Sequence, residues 1–160
     1  MLQIKIIAFG KLKETYWREA VAEYLKRLQT YCKLEICELT PARLPDAPTP
    51  AQIAAALRTE NRAALGAIPP QSAVAALCIE GKELSSEALS NWIRRSATDG
   101  GGCICFLIGS SYGLDETLKQ RANLRLSMSP MTFPHQLARV MLLEQVYRAF
   151  QIASGGKYHK

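Results

Sequence analysis

Residues 103–113 read CICFLIGSSYG. A run of apolar side chains with no charge, closed at once by a glycine, two serines and a second glycine, has the pattern of a strand buried on both faces. Such strands belong to parallel sheets covered by helices, and the loops leaving their carboxyl ends are where such sheets place ligands. The rest of the chain fits around that reading. Residues 73–79 (AVAALCI) form a second run of the same kind, and residues 2–9 (LQIKIIAF) a third, closed by Gly10. Leu34, Ile36 and Leu39 suit another strand, as do the alternating Leu124, Leu126 and Met128.

Between these runs the periodicity changes to that of a helix. Trp17, Ala20, Val21, Tyr24, Leu25 and Leu28 lie on one continuous stripe. Residues 51–65 are alanine-rich and end at Gly66 and Pro69-Pro70, after the loop PARLPDAPTP, whose prolines deny a helix or inner strand its amide donors. Ser85 or Ser86 caps a helix carrying Leu89, Trp92 and Ile93. Leu114 and Leu118 mark a short helix, and residues 137–152 a long one. Glu80-Gly81 reads as a break after the third strand, and Asp99, Gly100, Gly101 and Gly102 as a turn. Five strands alternating with five helices predict an α/β fold with a largely parallel sheet, in a single domain over residues 1–160.

The chain has 160 residues, is 48% hydrophobic and 21% charged, and carries a net charge of +6. That composition fits a globular domain, and the basic excess favours anionic partners such as RNA. Its five cysteines include no CxxC pair, and it has only two histidines, so the spacing argues against zinc. Lys5 interrupts the early apolar run and no segment reaches the ~18 apolar residues of a membrane span, so a cytoplasmic protein away from membranes is expected.

Four segments can carry chemistry. The loop Gly109-Ser110-Ser111-Tyr112-Gly113 gives a ligand access to backbone, although it is neither GxGxxG nor a P-loop. Met128, Ser129, Pro130, Met131, Thr132 and Phe133 combine apolar side chains with hydroxyls, which suits a flat heteroaromatic ligand and equally a hydrophobic staple. Pro134 fits the first turn of the last helix, with Thr132 or Phe133 near its cap. His135 and Arg139 share a face of that helix; Arg139 needs an acidic partner or an anionic ligand, and Glu144 and Arg148 form a structural pair. The tail GGKYHK joins a flexible hinge to Tyr158 and His159.

The order and wording of these segments resemble a known family. LIGxxxGL, then LSxSxMTFPHQLxRVxLxEQxYRAF, then a terminal YHK are similar to the bacterial large-subunit rRNA pseudouridine-N3 methyltransferases, the YbeA-like group of the SPOUT class. IKIIAFGKLKETYWREAVAEYLKRL and ALCIEGKELSSEAL resemble it too, so the likeness spans the chain. It implies a C-terminal trefoil knot, a homodimer packed through the last helix, and a bent S-adenosylmethionine held by Leu77, Gly109 and residues 128–133. It further implies transfer of the methyl group to N3 of a pseudouridine in 23S rRNA of the assembled ribosome. In that reading His159, or else His135, helps remove the N3 proton, Arg139 stabilises the charge developing on the ring, and Tyr158 orients the base. A non-catalytic ribosome-associated protein and a tRNA methyltransferase of the same class are the alternatives. One departure stands out: family members often have two successive glycines where this chain has Gly109-Ser110. Ser110 is therefore expected at negative φ or with its side chain turned outward.

Overall fold

The computed structural model describes residues 1–99 and 101–160; Gly100, part of the turn expected at 99–102, lies outside them. Five strands form one sheet: β1 (Gln3–Phe9), β2 (Lys33–Leu39), β3 (Ala73–Glu83), β4 (Cys103–Ile108) and β5 (Leu124–Ser127). Their order is β2-β1-β4-β3-β5 and every pairing is parallel. Five helices alternate with them: α1 (Thr15–Leu28), α2 (Pro50–Ala67), α3 (Ser86–Asp99), α4 (Glu116–Arg121) and α5 (His135–Ala153). The α/β fold expected from CICFLI and AVAALCI is the fold observed.

The pleat sorts side chains onto two cores. Ile4, Ile6 and Ala8 of β1, with Ile104, Phe106 and Ile108 of β4, pack with Val21 and Leu28 of α1, Leu89 and Ile93 of α3, and Leu142, Leu143 and Val146 of α5. Ile7 and Phe9, with Cys105 and Leu107, face the other way and meet Ala64 of α2 and Leu118 of α4. All six residues of β4 are buried. At about 1.5–3 kcal/mol for each large aliphatic side chain removed from water, this central strand anchors both layers. Burial pushes the Cys105 thiol up to about 12 and the Cys32 thiol to about 11, so both stay protonated and inert near neutral pH.

Some local readings shift. Helix α2 begins at Pro50 rather than Ala51, because Thr49 closes a capping box with Gln52 and proline needs no amide partner at the first helical position. Ser85 is the cap of α3, its hydroxyl accepting from the Ala88 amide at 3.1 Å. Glu80-Gly81 does not end β3. Leu126 of β5 is the partner of both Leu77 and Lys82, so residues 78–81 arch out and the ladder then resumes. Gly81 makes the arch possible, since a Cβ there would lie 2.8 Å from the Arg125 backbone.

Direction of exit from the sheet positions the sites. The chain leaves β1 and β3 toward α1 and α3 in one layer, whereas it leaves β4 toward α4 in the other. Crevices therefore open on both sides of the loop that follows β4, at the carboxyl ends of the strands.

Candidate functional site

Between the ends of β3, β4 and β5 lies a cavity of about 990 Å³. Leu77, Gly109, Met128, Ser129, Met131, Thr132 and Phe133 all line it, and so does His135. Of the positions the sequence singles out for a donor, only Pro130 is absent from the wall. Gly109 and Thr132, which are 23 residues apart in the sequence, share one chamber because β4 and β5 flank β3.

Each wall has a local cause. After β4 the chain closes a tight turn: Gly113 donates its amide to the Ser110 carbonyl at 2.9 Å and takes φ +81°. A Cβ on Gly109 would lie 2.4 Å from the Gly113 carbonyl carbon. Gly109 is thus needed for the turn itself, and the positive φ of this loop belongs to Gly113. Ser110 has the expected geometry. It is not among the positive-φ residues, and its hydroxyl turns away to donate to Glu60 of α2 at 2.7 Å. The other Glu60 oxygen accepts from the Ala42 amide at 3.0 Å, so this buried carboxylate joins the proline-rich loop to the turn.

After β5, Ser127 donates to the Ser129 carbonyl at 3.1 Å, and the Ser129 hydroxyl accepts from the Met131 amide at 3.0 Å. These bonds coil the segment and leave Met131 at the rim, 72% exposed. The expected cap is displaced by one or two residues: Pro134 is the N-cap of α5 and supplies no side-chain bond. The arch of β3 adds Cys78, Ile79 and Glu80 to the wall, and Lys119 of α4 forms an ion pair with Glu80 there. Sequence reasoning missed these three positions, because the polar Glu80-Gly81 step that follows the apolar run reads as the end of the strand.

The four residues proposed for catalysis separate. His135 is half-buried on the cavity wall, and no described residue hydrogen-bonds to its ring. Burial, and secondly the Arg139 charge, hold its pKa below the ordinary histidine value, so the imidazole is neutral at pH 7. Arg139 does not reach the cavity. It is 1% exposed, and its guanidinium donates to Glu38 at 2.8 Å and to the Gly10 carbonyl at 3.1 Å. The acidic partner foreseen for it is Glu38; direct stabilisation of a ring in the cavity is replaced by a clamp, buried at Arg139 and open to solvent at Glu38, between α5, β2 and the end of β1.

Tyr158 and His159 lie elsewhere, folded back onto α5. Gly155 takes φ +69° and the Gly156 amide bonds to the Gln151 carbonyl at 2.8 Å, a left-handed helix stop. The two glycines are therefore a fixed turn rather than a flexible hinge. The Tyr158 hydroxyl donates to Glu144 at 3.1 Å, and its ring meets Tyr147 edge-on at 5.0 Å. His159 Nε2 lies 2.7 Å from Glu87 and its Nδ1 3.3 Å from Arg148. The Glu87 carboxyl is held below its usual range by its own backbone amide first and by His159 second. Glu144 and Arg148 do form the expected pair, at 2.7 Å.

A parallel α/β sheet with a large, partly apolar chamber at its strand ends and an imidazole on the wall has the form of a small-molecule site with a group beside it that can take up a proton. The chain matches the family described as "Predicted SPOUT methyltransferase" over residues 2–159. It is also 47% identical over 159 residues to "Ribosomal RNA large subunit methyltransferase H" of Bacillus pumilus (strain SAFR-032), an alignment covering 99% of this chain and 100% of that one. The chain belongs to the SPOUT methyltransferase family.

Proposed function

We propose that this protein transfers a methyl group from S-adenosylmethionine to N3 of a pseudouridine in 23S rRNA, acting as a homodimer on the assembled ribosome. The observation that carries the reading is the convergence of Leu77, Gly109 and the segment after β5 on one chamber, in a chain so similar to an rRNA large-subunit methyltransferase. The chamber fits the donor: its volume lies at the upper end of the roughly 300–1,000 Å³ usual for small-molecule sites, and its apolar side chains alternate with backbone and hydroxyl groups.

When bound, the donor supplies a methyl group already activated as a sulfonium. The protein's part is orientation, exclusion of water and removal of one proton. Leu77, Met128, Ser129, Met131, Thr132, Phe133 and the Gly109 turn would hold the donor, which would supply the methyl group to N3 in exchange for the N3 proton. The N3 proton passes to a base. His135 stands in place for that role as a neutral imidazole, whereas His159 must be brought by a tail. We assign the proton to His135, with Tyr158 and His159 of a second copy closing over the base. Arg139 is a positioning residue, fixing Gly10 and Glu38 below His135.

Dimerisation is supported by the half-exposed Val140, Met141 and Tyr147, which α5 carries beside its buried stripe of Leu142, Leu143, Val146 and Ala149. The trefoil path of the last strands and helix belongs to the same proposal. Incorporation of labelled methyl groups into purified ribosomal particles, with tRNA as comparison, tests the activity. Label in the particles at N3 of a pseudouridine is expected; label only in tRNA would overturn the substrate assignment. Titration with S-adenosylmethionine showing no heat of binding would remove the enzyme reading altogether.

A further inference from the structure

The loop after β4 has two sides, and only one faces the chamber described above. On the other side, between the ends of β1, β2 and β4, lies a second cavity of about 600 Å³. We propose that this second crevice receives the target nucleotide of an RNA, with Lys11 and Lys13 holding its phosphates. The inference rests on the methyltransferase reading and adds to it the place of the acceptor.

Topology makes the crevice. The chain leaves β1 toward α1 in one layer and leaves the adjacent β4 toward α4 in the other, so the loops that follow the two strands diverge and a crevice is left between their ends. Such switch points are the preferred ligand sites of parallel sheets. The two cavities share one wall: Ser110, Ser111, His135 and Gln136 line both. In-line transfer needs the methyl carbon and the attacking nitrogen about 3–3.5 Å apart with no protein atom between them. The target ring must therefore reach the donor past these shared residues, and a base must stand where the two cavities meet. His135 does so, its ring packed over Gly10, where a Cβ would lie 3.6 Å from Cε1.

The outer rim is built for an anion. Arg18 donates to the Leu12 carbonyl at 3.2 Å and to Lys13 O, and it also bonds the Thr15 hydroxyl, so the loop from β1 to α1 is pinned through its backbone. Lys11 and Lys13 are left exposed, and neither forms an ion pair among the described residues. Of the two carboxylates that line the crevice, Glu38 is paired with Arg139 at 2.8 Å, and the exposed Glu14, with no ion pair among the described residues, offsets one of the two lysines. Apolar Phe9 and Leu39 form the floor, and Thr40 stands at the edge. Two free cations over a partly apolar slot of that volume fit a nucleotide flipped out of its stack, whose ring enters while its phosphates stay outside.

The test compares Thr40→Trp, which fills this crevice without touching the donor chamber, with Lys11→Gln/Lys13→Gln. Steady-state methyl transfer to ribosomal particles and calorimetric donor binding are measured for each. The filled crevice should lower kcat/KM for particles by at least about twentyfold with donor Kd unchanged within twofold. The lysine pair should raise KM about tenfold, leave kcat nearly unchanged, and flatten the dependence of log kcat/KM on log salt by roughly 1.4–1.8, two phosphate contacts' worth. Wild-type kinetics in either variant, with the wild-type enzyme active, would overturn the crevice assignment alone. A wild-type enzyme that binds donor yet methylates no particle would instead overturn the reading it rests on. Should Thr40→Trp fail to fold, the two solvent-facing lysines still decide the matter.

Discussion

The loops after β4 and β5 and the tail after α5 were both marked by the sequence as places for chemistry, and the structure treats them differently. The loops are assembled within one chain: an amide bond inside the Gly109 turn, serine bonds inside the segment after β5, and a shared chamber. The tail is equally ordered but occupied elsewhere, with Tyr158 on Glu144 and His159 on Glu87. On the proposed function, the difference means that donor binding would need only local folding, whereas completing the acceptor side would need either a second copy or release of the tail.

Ways to break that division start with the residue on the loop side that meets the proton. His135→Ala should lower kcat by about 100-fold or more, within the range typical of a lost general base, with donor Kd unchanged within twofold. Its low pKa also fixes a pH signature. The wild-type acid limb of kcat should fall below about pH 6.5, because the neutral form persists under the ordinary histidine value. The unfolded chain binds that proton more tightly, so stability is lost as pH falls from about 6.5 through the folded-state value, and His135→Gln should remove this part of the loss. A kcat profile with no acid limb would unseat His135.

Gly109→Ala comes next. With 2.4 Å to the Gly113 backbone the turn must shift, and donor affinity should fall by about tenfold or more, measured by calorimetry. Unchanged affinity would mean that this turn does not hold the donor. His159→Ala should cost roughly tenfold in turnover, less than the loss of a general base because His159 closes over the target base while the proton goes to His135, without altering donor Kd. If Kd weakened in parallel, the separation of loops from tail would collapse. The smallest effect is expected for Ser110→Gly, whose donor Kd should be no better than wild type because the serine side chain already points at Glu60.

Much of the fold was legible because burial on two faces leaves a clear trace. CICFLI has no polar step and is buried throughout, and AVAALCI follows it through Ala76, although Ile79, on the arch, is 51% exposed. The segment proposed for the donor was marked for a related reason, since apolar side chains mixed with hydroxyls between strand and helix suit a cavity wall, which five of its six residues form. What escaped was non-local. The arch at residues 78–81 depends on β5 meeting Leu77 and Lys82 at one residue, Leu126, which no local pattern announces. The clamp on Arg139 joins positions 101 residues apart. The paired glycines read as freedom, whereas their geometry is that of a helix stop, because a left-handed residue serves both purposes and only the hydrogen bonds around it distinguish them.

The arch in β3 has a consequence for how such a site can change. Since the strand rejoins its neighbour at the same residue where it left, the number of residues between departure and return is uncoupled from sheet alignment. Lengthening or shortening that excursion would recontour one wall of the chamber while every downstream strand kept its place, a location where new selectivity can arise without refolding the protein.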